Sequence, residues 1–305
     1  MLHKKTLISI VGPTAIGKTA LAIQIARHFG TEIISADSRQ FFKEMAIGTA
    51  KPDAEELAAA KHHFIDSHSA SQLFSTGDFE IEGLKALDEI FQKHDVAIMV
   101  GGSGLYVNAL LNGLDEMPDI DLSIREKLNK QFEEEGLAII QNQLAKSDPE
   151  YFAKVDQQNP QRMIRGLEVF LSTGQKLSSM LSATKKERPF NIIKIGLNTD
   201  RAILYNRINQ RVDQMIANGL LEEVKSLTPF KQYNALNTVG YSEIFDYFDG
   251  KLSLEEAIAA IKQNTRRFAK RQLTWFRRDE EINWFEPDES KQVINYISAN
   301  ITNSK

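Results

Sequence analysis

Apolar positions in the first third of the chain fall in short continuous runs separated by stretches of helical spacing. Thr6–Val11, Glu32–Ala36 and Val96–Val100 read as strands; Ala20–Phe29, closed by Gly30, and Gly83–Phe91 read as helices. Continuous apolar strands with helical crossovers predict an α/β fold, a parallel sheet flanked by helices, with ligands beyond the carboxyl ends of its strands. From about Pro118 to Arg188 the texture changes to Gln, Glu and Lys at helical spacing, with no strand candidate. Ser123 with Glu126 makes a capping-box pattern, and Asp148-Pro149 and Asn159-Pro160 each set an N-cap before a proline. The pattern predicts a helical insertion domain over residues 118–188, inside a core domain of residues 1–117 and 189–305. Ile192–Leu197 returns the chain to the sheet, and helices are expected to fill the remainder.

With 305 residues, 42% of them hydrophobic and 26% charged, the chain has material for a packed core, which excludes a disordered protein. The absence of cysteine removes disulfides, zinc–thiolate sites and thiol nucleophiles, and suits a reducing cytoplasm. No apolar run approaches the ~18 residues that cross a bilayer, and MLHKKTLISIVGP reads as a first strand, not a signal peptide. A cytoplasmic, membrane-free monomer is the expectation. Net charge is −4, yet Ala257–Arg278 contains no acidic residue, while Lys262, Arg266, Arg267, Lys270, Arg271, Arg277 and Arg278 supply seven cations. That concentration points to phosphate contact by one helix, with Leu254, Ile258, Ile261 and Phe268 as its apolar side. Trp275 and Phe276 read as packing anchors, and His62-His63, without partners at metal-ligand spacing, as structural or surface residues.

Gly12, Pro13, Thr14, Ala15, Ile16, Gly17, Lys18 and Thr19 match G-x-x-x-x-G-K-[ST] directly between a strand and a helix. Backbone amides of such a loop turn around phosphate oxygens, the helix N-terminus adds its dipole, Lys18 neutralises charge and Thr19 can hold Mg2+. The bland alternative is a chance glycine turn, against which the strand–loop–helix context argues. No carboxylate follows Val96–Val100, where hydrolytic phosphate-loop proteins usually place one. The available carboxylate is Asp37, which could equally be an ordinary turn cap. Arg207 and Arg211 lie one helical turn apart, either as a solvated basic face or as anion ligands. Arg162 and Arg165 share a face opposite Ile164, Leu167 and Leu171.

Several stretches together resemble the bacterial tRNA dimethylallyltransferases, also called tRNA isopentenyltransferases: GPTAIGKT (12–19), DSRQ (37–40), IGTAKP (47–52), GGSGLYVNALLNGL (101–114), NPQRMIRGLEVF (159–170), YNRINQRVDQM, VGYSEI (239–244) and RQLTWFRR (271–278). The resemblance implies a phosphate-loop fold that holds the diphosphate of dimethylallyl diphosphate, and transfer of the allyl group to the exocyclic amine of adenosine 37 in the tRNA anticodon loop. It implies Asp37 as the base, Ser103 (often threonine in the family) as a holder of the amine, and diphosphate contact by Arg207, more than Arg211. It further implies tRNA contacts from Asp37, Ser38, Arg39, Gln40, Ser103, Arg125, Gln161, Arg162, Met163, Ile164 and Arg165; Lys270 and Arg271 are assigned to tRNA phosphates. Phe41-Phe42 stand where the family often has Val-Tyr, and Ala46 where it often has Asp. Rival readings are a phosphate-loop small-molecule kinase, an adenylate isopentenyltransferase acting on free nucleotides, and a noncatalytic RNA-binding protein.

Overall fold

The computed structural model describes residues 5–182 and 184–303, so Met1–Lys4 of the N-terminal stretch lie outside it. Strands β1 (Thr6–Val11), β2 (Ile33–Ser35), β3 (His62–His63), β4 (Val96–Gly101), β5 (Asn191–Leu197) and β6 (Asn283–Phe285) form one sheet in the order β3-β2-β4-β1-β5-β6. Every neighbouring pair is parallel. All six residues of the central β1 are buried, as expected where helices cover both faces of a parallel sheet.

Helices α1 (Lys18–Phe29), α2 (Ala54–Ala59), α3 (Thr76–Phe91) and α4 (Gly104–Asn112) belong with the first strands. A second compact unit, Leu114–Lys186, holds α5 (Leu122–Glu135), α6 (Leu137–Ser147), α7 (Pro149–Lys154), α8 (Pro160–Thr173) and α9 (Leu177–Met180). The first unit resumes with α10 (Arg201–Ala217), α11 (Leu220–Ser226), α12 (Tyr241–Phe248), α13 (Leu254–Phe276) and α14 (Ser290–Asn303). Ile8, Ile10, Ile98 and Ile195 pack one sheet face against α1, α10 and α14, while Leu7, Ala97 and Met99 pack the other against α3 and α4. A separate cluster joins α10–α13 to Phe42 and Met45. Full burial of each such aliphatic side chain contributes about 1.5–3 kcal/mol.

Three expectations need correction. Helix α5 is capped by Asp121, whose carboxylate accepts the Ser123 N–H at 2.9 Å, so Ser123 lies inside the helix and is not its cap. Helix α3 begins seven residues before Gly83, because Ser75 and Asp78 form a reciprocal capping box in what reads as polar loop. The C-terminal region is not all helix: β6 adds an edge strand, three residues long and too short to show a period. The two N-caps before proline are present, Asp148 accepting from Tyr151 N–H and Asn159 from Arg162 N–H.

Candidate active site

The chain leaves the carboxyl end of β1 into the loop 12–17 and enters α1 at Lys18. Gly17, the N-cap, sits at φ 104°, in the left-handed region that side chains disfavour, so the motif's second glycine is required by the turn itself. Ala15 adopts φ 63° without being glycine, a local strain of the kind folds maintain at ligand sites. Lys18 Nζ donates to the Pro13 carbonyl at 2.8 Å, across the mouth of the loop. Burial pushes its ammonium down to about 8; the Asp37 carboxylate opposes that fall and the Arg211 guanidinium reinforces it. Ile16 is buried, so it serves through its backbone: its carbonyl accepts from Arg207 Nη1 at 3.4 Å.

Two of the three arginines of α10, Arg207 and Arg211, reach the loop. Arg211 is the more enclosed, donating to Thr14 Oγ1 and the Ala50 carbonyl at 3.4 Å each, and burial lowers its pKa. Both arginines line the polar cavity, Arg207 against the loop backbone at Ile16 and Arg211 against the Thr14 side chain.

Beyond the end of β2, Asp37 opens a tight turn in which its carboxylate accepts the Arg39 N–H at 3.1 Å. Ser103, on the glycine turn after β4, ties this turn to the sheet: its hydroxyl accepts the Ser38 N–H at 3.0 Å and donates to Ser38 Oγ at 3.1 Å. Gln40, half-buried, lines the polar cavity, and its amide donates to the Thr49 and Ala50 carbonyls at 3.2 and 3.1 Å. Arg39 lines the neighbouring cavity and reaches the Asn237 carbonyl at 3.4 Å. Phe41 and Phe42 are buried, so the departure from Val-Tyr changes packing beside the turn.

Two cavities meet here. One, of about 420 Å3, is polar and lined by the phosphate loop, Lys18, Thr19, Lys51, Arg207 and Arg211. The other, of about 460 Å3, is largely apolar and lined by Ile208, Val212, Met215, Val239, Ile261 and Trp275, with Ser38, Arg39, Ser103 and Arg271 at its polar parts. Thr14, Asp37, Thr49, Ala50, Arg211, Phe268 and Gln272 line both. Such a pair suits a molecule with a polyanionic head and an apolar tail, with Asp37 where head and tail join.

Sequence reasoning missed two residues of this arrangement. Gln272 spans the phosphate loop and the turn after β4. Glu223, on α11, gathers the N–H groups of Ala46, Ile47 and Gly48 at 3.1, 2.7 and 3.1 Å and the Tyr241 hydroxyl at 2.6 Å. It thereby fixes the loop that carries Thr49 and Ala50, and burial, reinforced by the Glu223 charge, pushes the tyrosine pKa up. Gln272 falls within the RQLTWFRR stretch, which could have marked it, whereas Glu223 beside Glu222 carries no such signal.

The basic stretch of α13 is not uniformly available. Lys262 pairs with Asp213 at 2.6 Å, and Arg266 donates to Asn209 at 2.7 Å and stacks over Tyr205, so both are turned to α10. Lys270, Arg271, Arg277 and Arg278 are exposed. Phe268, expected in the core, is 38% exposed and lines both cavities, while Ala269, Gln272 and Phe276 are buried in its place. Phe276 is a packing anchor; Trp275, 39% exposed, lines the apolar cavity instead. His62 lines the polar cavity and His63 contacts Glu32 at 2.6 Å.

In the second unit, Arg125 and Arg165 converge on the buried Glu168, at 2.6 and 3.0 Å. Met163 and Ile164 are corrected to core residues, both fully buried, so α8 presents Gln161 and Arg162 to solvent with Arg165 half-buried. Leu171, expected with the core, is 53% exposed.

The sequence profile of the IPP transferase family matches residues 40–279. The tRNA dimethylallyltransferase of Christiangramia forsetii is 59% identical over 296 residues, 97% of this chain and 98% of that protein. That of Flavobacterium johnsoniae is 52% identical over 98% of this chain and 99% of its own length. Among solved structures, the tRNA isopentenylpyrophosphate transferase of Bacillus halodurans superposes with a TM-score of 0.74 at 37% identity, covering 99% of this chain and 98% of that one. A eukaryotic dimethylallyltransferase acting on tRNA gives 0.81 at 27% identity, over 98% and 80%. With the profile matched across most of the sequence and relatives aligned over nearly all of theirs, the chain belongs to the IPP transferase family.

Proposed function

We infer that this protein transfers a dimethylallyl group from dimethylallyl diphosphate to the N6 amine of adenosine 37 in tRNA, releasing diphosphate. The carrying observation is the junction of a cationic phosphate cradle with an apolar cavity at Asp37. The donor's diphosphate fits the cradle and its five-carbon group the apolar side. An adenine amine is a weak nucleophile, because its lone pair is delocalised into the ring, so the electrophile must be strong. As the allylic C–O bond breaks, its electron pair goes to the diphosphate, where Lys18, Arg207, Arg211 and the loop amides stabilise the charge. The amine nitrogen forms the new C–N bond and its proton passes to the Asp37 carboxylate. Ser103, hydrogen-bonded to the Asp37 turn and lining the same cavity as Asp37, can orient the amine as well.

Magnesium fits this donor set. Among the described residues no cluster of three His, Asp or Glu side chains could hold a metal unaided. Mg2+ is commonly held by one or two protein oxygens plus substrate phosphates, and Thr19 and Asp37 both line the polar cavity. When bound, the ion would neutralise charge on the diphosphate.

An anticodon-loop base must leave its stack to be reached. The exposed cations of α13 and the Gln161–Arg162 face of α8 are the surfaces assigned to the RNA. No helix among the described residues is long and apolar enough to cross a membrane. Lys262→Ala should leave tRNA affinity within about twofold because that lysine is already paired, whereas Lys270→Ala with Arg271→Ala should weaken it about tenfold and flatten its salt dependence. Filter binding at several salt concentrations reads both.

The reaction itself is tested by incubating the protein with labelled dimethylallyl diphosphate and unmodified tRNA, then digesting to nucleosides. The expected product is N6-dimethylallyladenosine, formed with diphosphate release and no ATP. Phosphoryl transfer from ATP, with the prenyl donor ignored, would return the kinase reading.

A further inference from the structure

Gln272 lies on α13, 6% exposed, with Ala269 and Phe276 as the buried residues on either side of it along the helix. Its Oε1 accepts the Thr14 N–H at 2.9 Å and its Nε2 donates to the Gly102 carbonyl at 2.9 Å. The first partner belongs to the phosphate loop, the second immediately precedes Ser103, and Gln272 lines both cavities. One carboxamide therefore joins the loop that holds the leaving group to the turn that faces the acceptor. Its orientation is dictated, since an N–H needs an acceptor and a carbonyl needs a donor. The fit is close: a Cβ on Gly102 would collide with the Gln272 amide nitrogen, so that position admits only glycine while the bridge stands. Thr14 continues the connection through its hydroxyl to Arg211 at 3.4 Å.

We propose that Gln272 is a positioning residue that fixes the separation between the phosphate loop and the Ser103 turn, and so aligns the breaking C–O bond with the incoming amine. It contributes no proton and carries no charge in the reaction. Its worth lies in geometry: displacement of about 1 Å between reacting partners costs roughly a hundredfold in rate. Other side chains of similar length do not replace it. Glutamate keeps the bond to Thr14 N–H but sets a carboxylate oxygen against the Gly102 carbonyl, and methionine fills the space while leaving both backbone groups unpaired.

The proposal rests on the transfer reaction inferred above, and wild-type turnover measured in the same assay separates failure of one from failure of the other. Gln272→Glu and Gln272→Met are compared with wild type for kcat, donor KM, tRNA affinity and melting temperature. The expected result is a fall in kcat of about thirtyfold or more in both, with donor KM and tRNA affinity moving less than about threefold. A role in packing alone predicts a nearly normal kcat for the methionine variant. Unchanged turnover in Gln272→Met, or a loss confined to KM or to tRNA affinity, overturns the proposal. Should the methionine variant fail to fold, Gln272→Glu and Gly102→Ala, the second of which displaces the amide from the other side, are judged by the same criterion.

Discussion

Replacing Asp37 by Asn is expected to slow prenyl transfer by about a hundredfold or more while leaving tRNA affinity within about threefold. The substitution is nearly isosteric, and the amide oxygen can still accept the Arg39 N–H that the carboxylate accepts at 3.1 Å, so the turn should survive. What is lost is the acceptor for the amine proton. An amine nitrogen bonded to the allylic carbon becomes acidic, and without a carboxylate its proton must leave through water. A second consequence follows from charge: Asp37 helps keep the Lys18 ammonium protonated, so its neutralisation should shift the alkaline loss of donor affinity to lower pH. Single-turnover transfer and tRNA filter binding, measured side by side, check the first point. If the whole effect appeared as a magnesium-dependent rise in donor KM at unchanged kcat, Asp37 would be a metal ligand and not the base.

How much of this site was visible in the residues depends on whether each partner is near in sequence. The phosphate loop was legible because eight consecutive residues carry it and the flanking strand and helix have clear periods. Asp37 was legible as the only carboxylate following an early strand. Gln272 was not, because its partners Thr14 and Gly102 lie 258 and 170 residues away and a glutamine in a basic helix looks solvated. Glu223 was hidden likewise: next to Glu222 it reads as surface charge until the fold brings the amides of Ala46–Gly48 to it. The same blindness inflated the basic stretch, for Asp213 and Asn209, which face Lys262 and Arg266, belong to a different helix. In the second unit the family motif around Arg162 mixes two faces of one helix, and only burial separates Met163 and Ile164 from the polar side.

Lys18→Met should lower kcat/KM for dimethylallyl diphosphate by about a thousandfold, through weakened but measurable donor binding, and should at the same time make the free protein more stable at neutral pH. Both expectations come from one displaced titration. Lys18 titrates near 8 in the free protein, against 10.5 for an ordinary lysine, chiefly because burial disfavours its charge. Its folded-state pKa is thus depressed, and between pH 8 and 10.5 the unfolded chain binds more protons than the folded one. Stability from this group is therefore complete above 10.5 and lost as pH falls toward 8, a cost on the order of 3 kcal/mol that persists at pH 7. Methionine carries no such cost, so the variant should melt higher at pH 7, and the gap should close as pH rises from 8 to 10.5. The diphosphate restores what burial takes away. It binds the protonated lysine, so donor affinity in the wild type should be level below pH 8 and weaken above it. That dependence should be missing from Lys18→Met. Melting curves across this range and donor affinities by calorimetry decide the matter: a variant no more stable than wild type at pH 7, or a wild-type affinity that stays level through pH 9, would mean the lysine keeps an ordinary titration and the cradle is not held under charge strain.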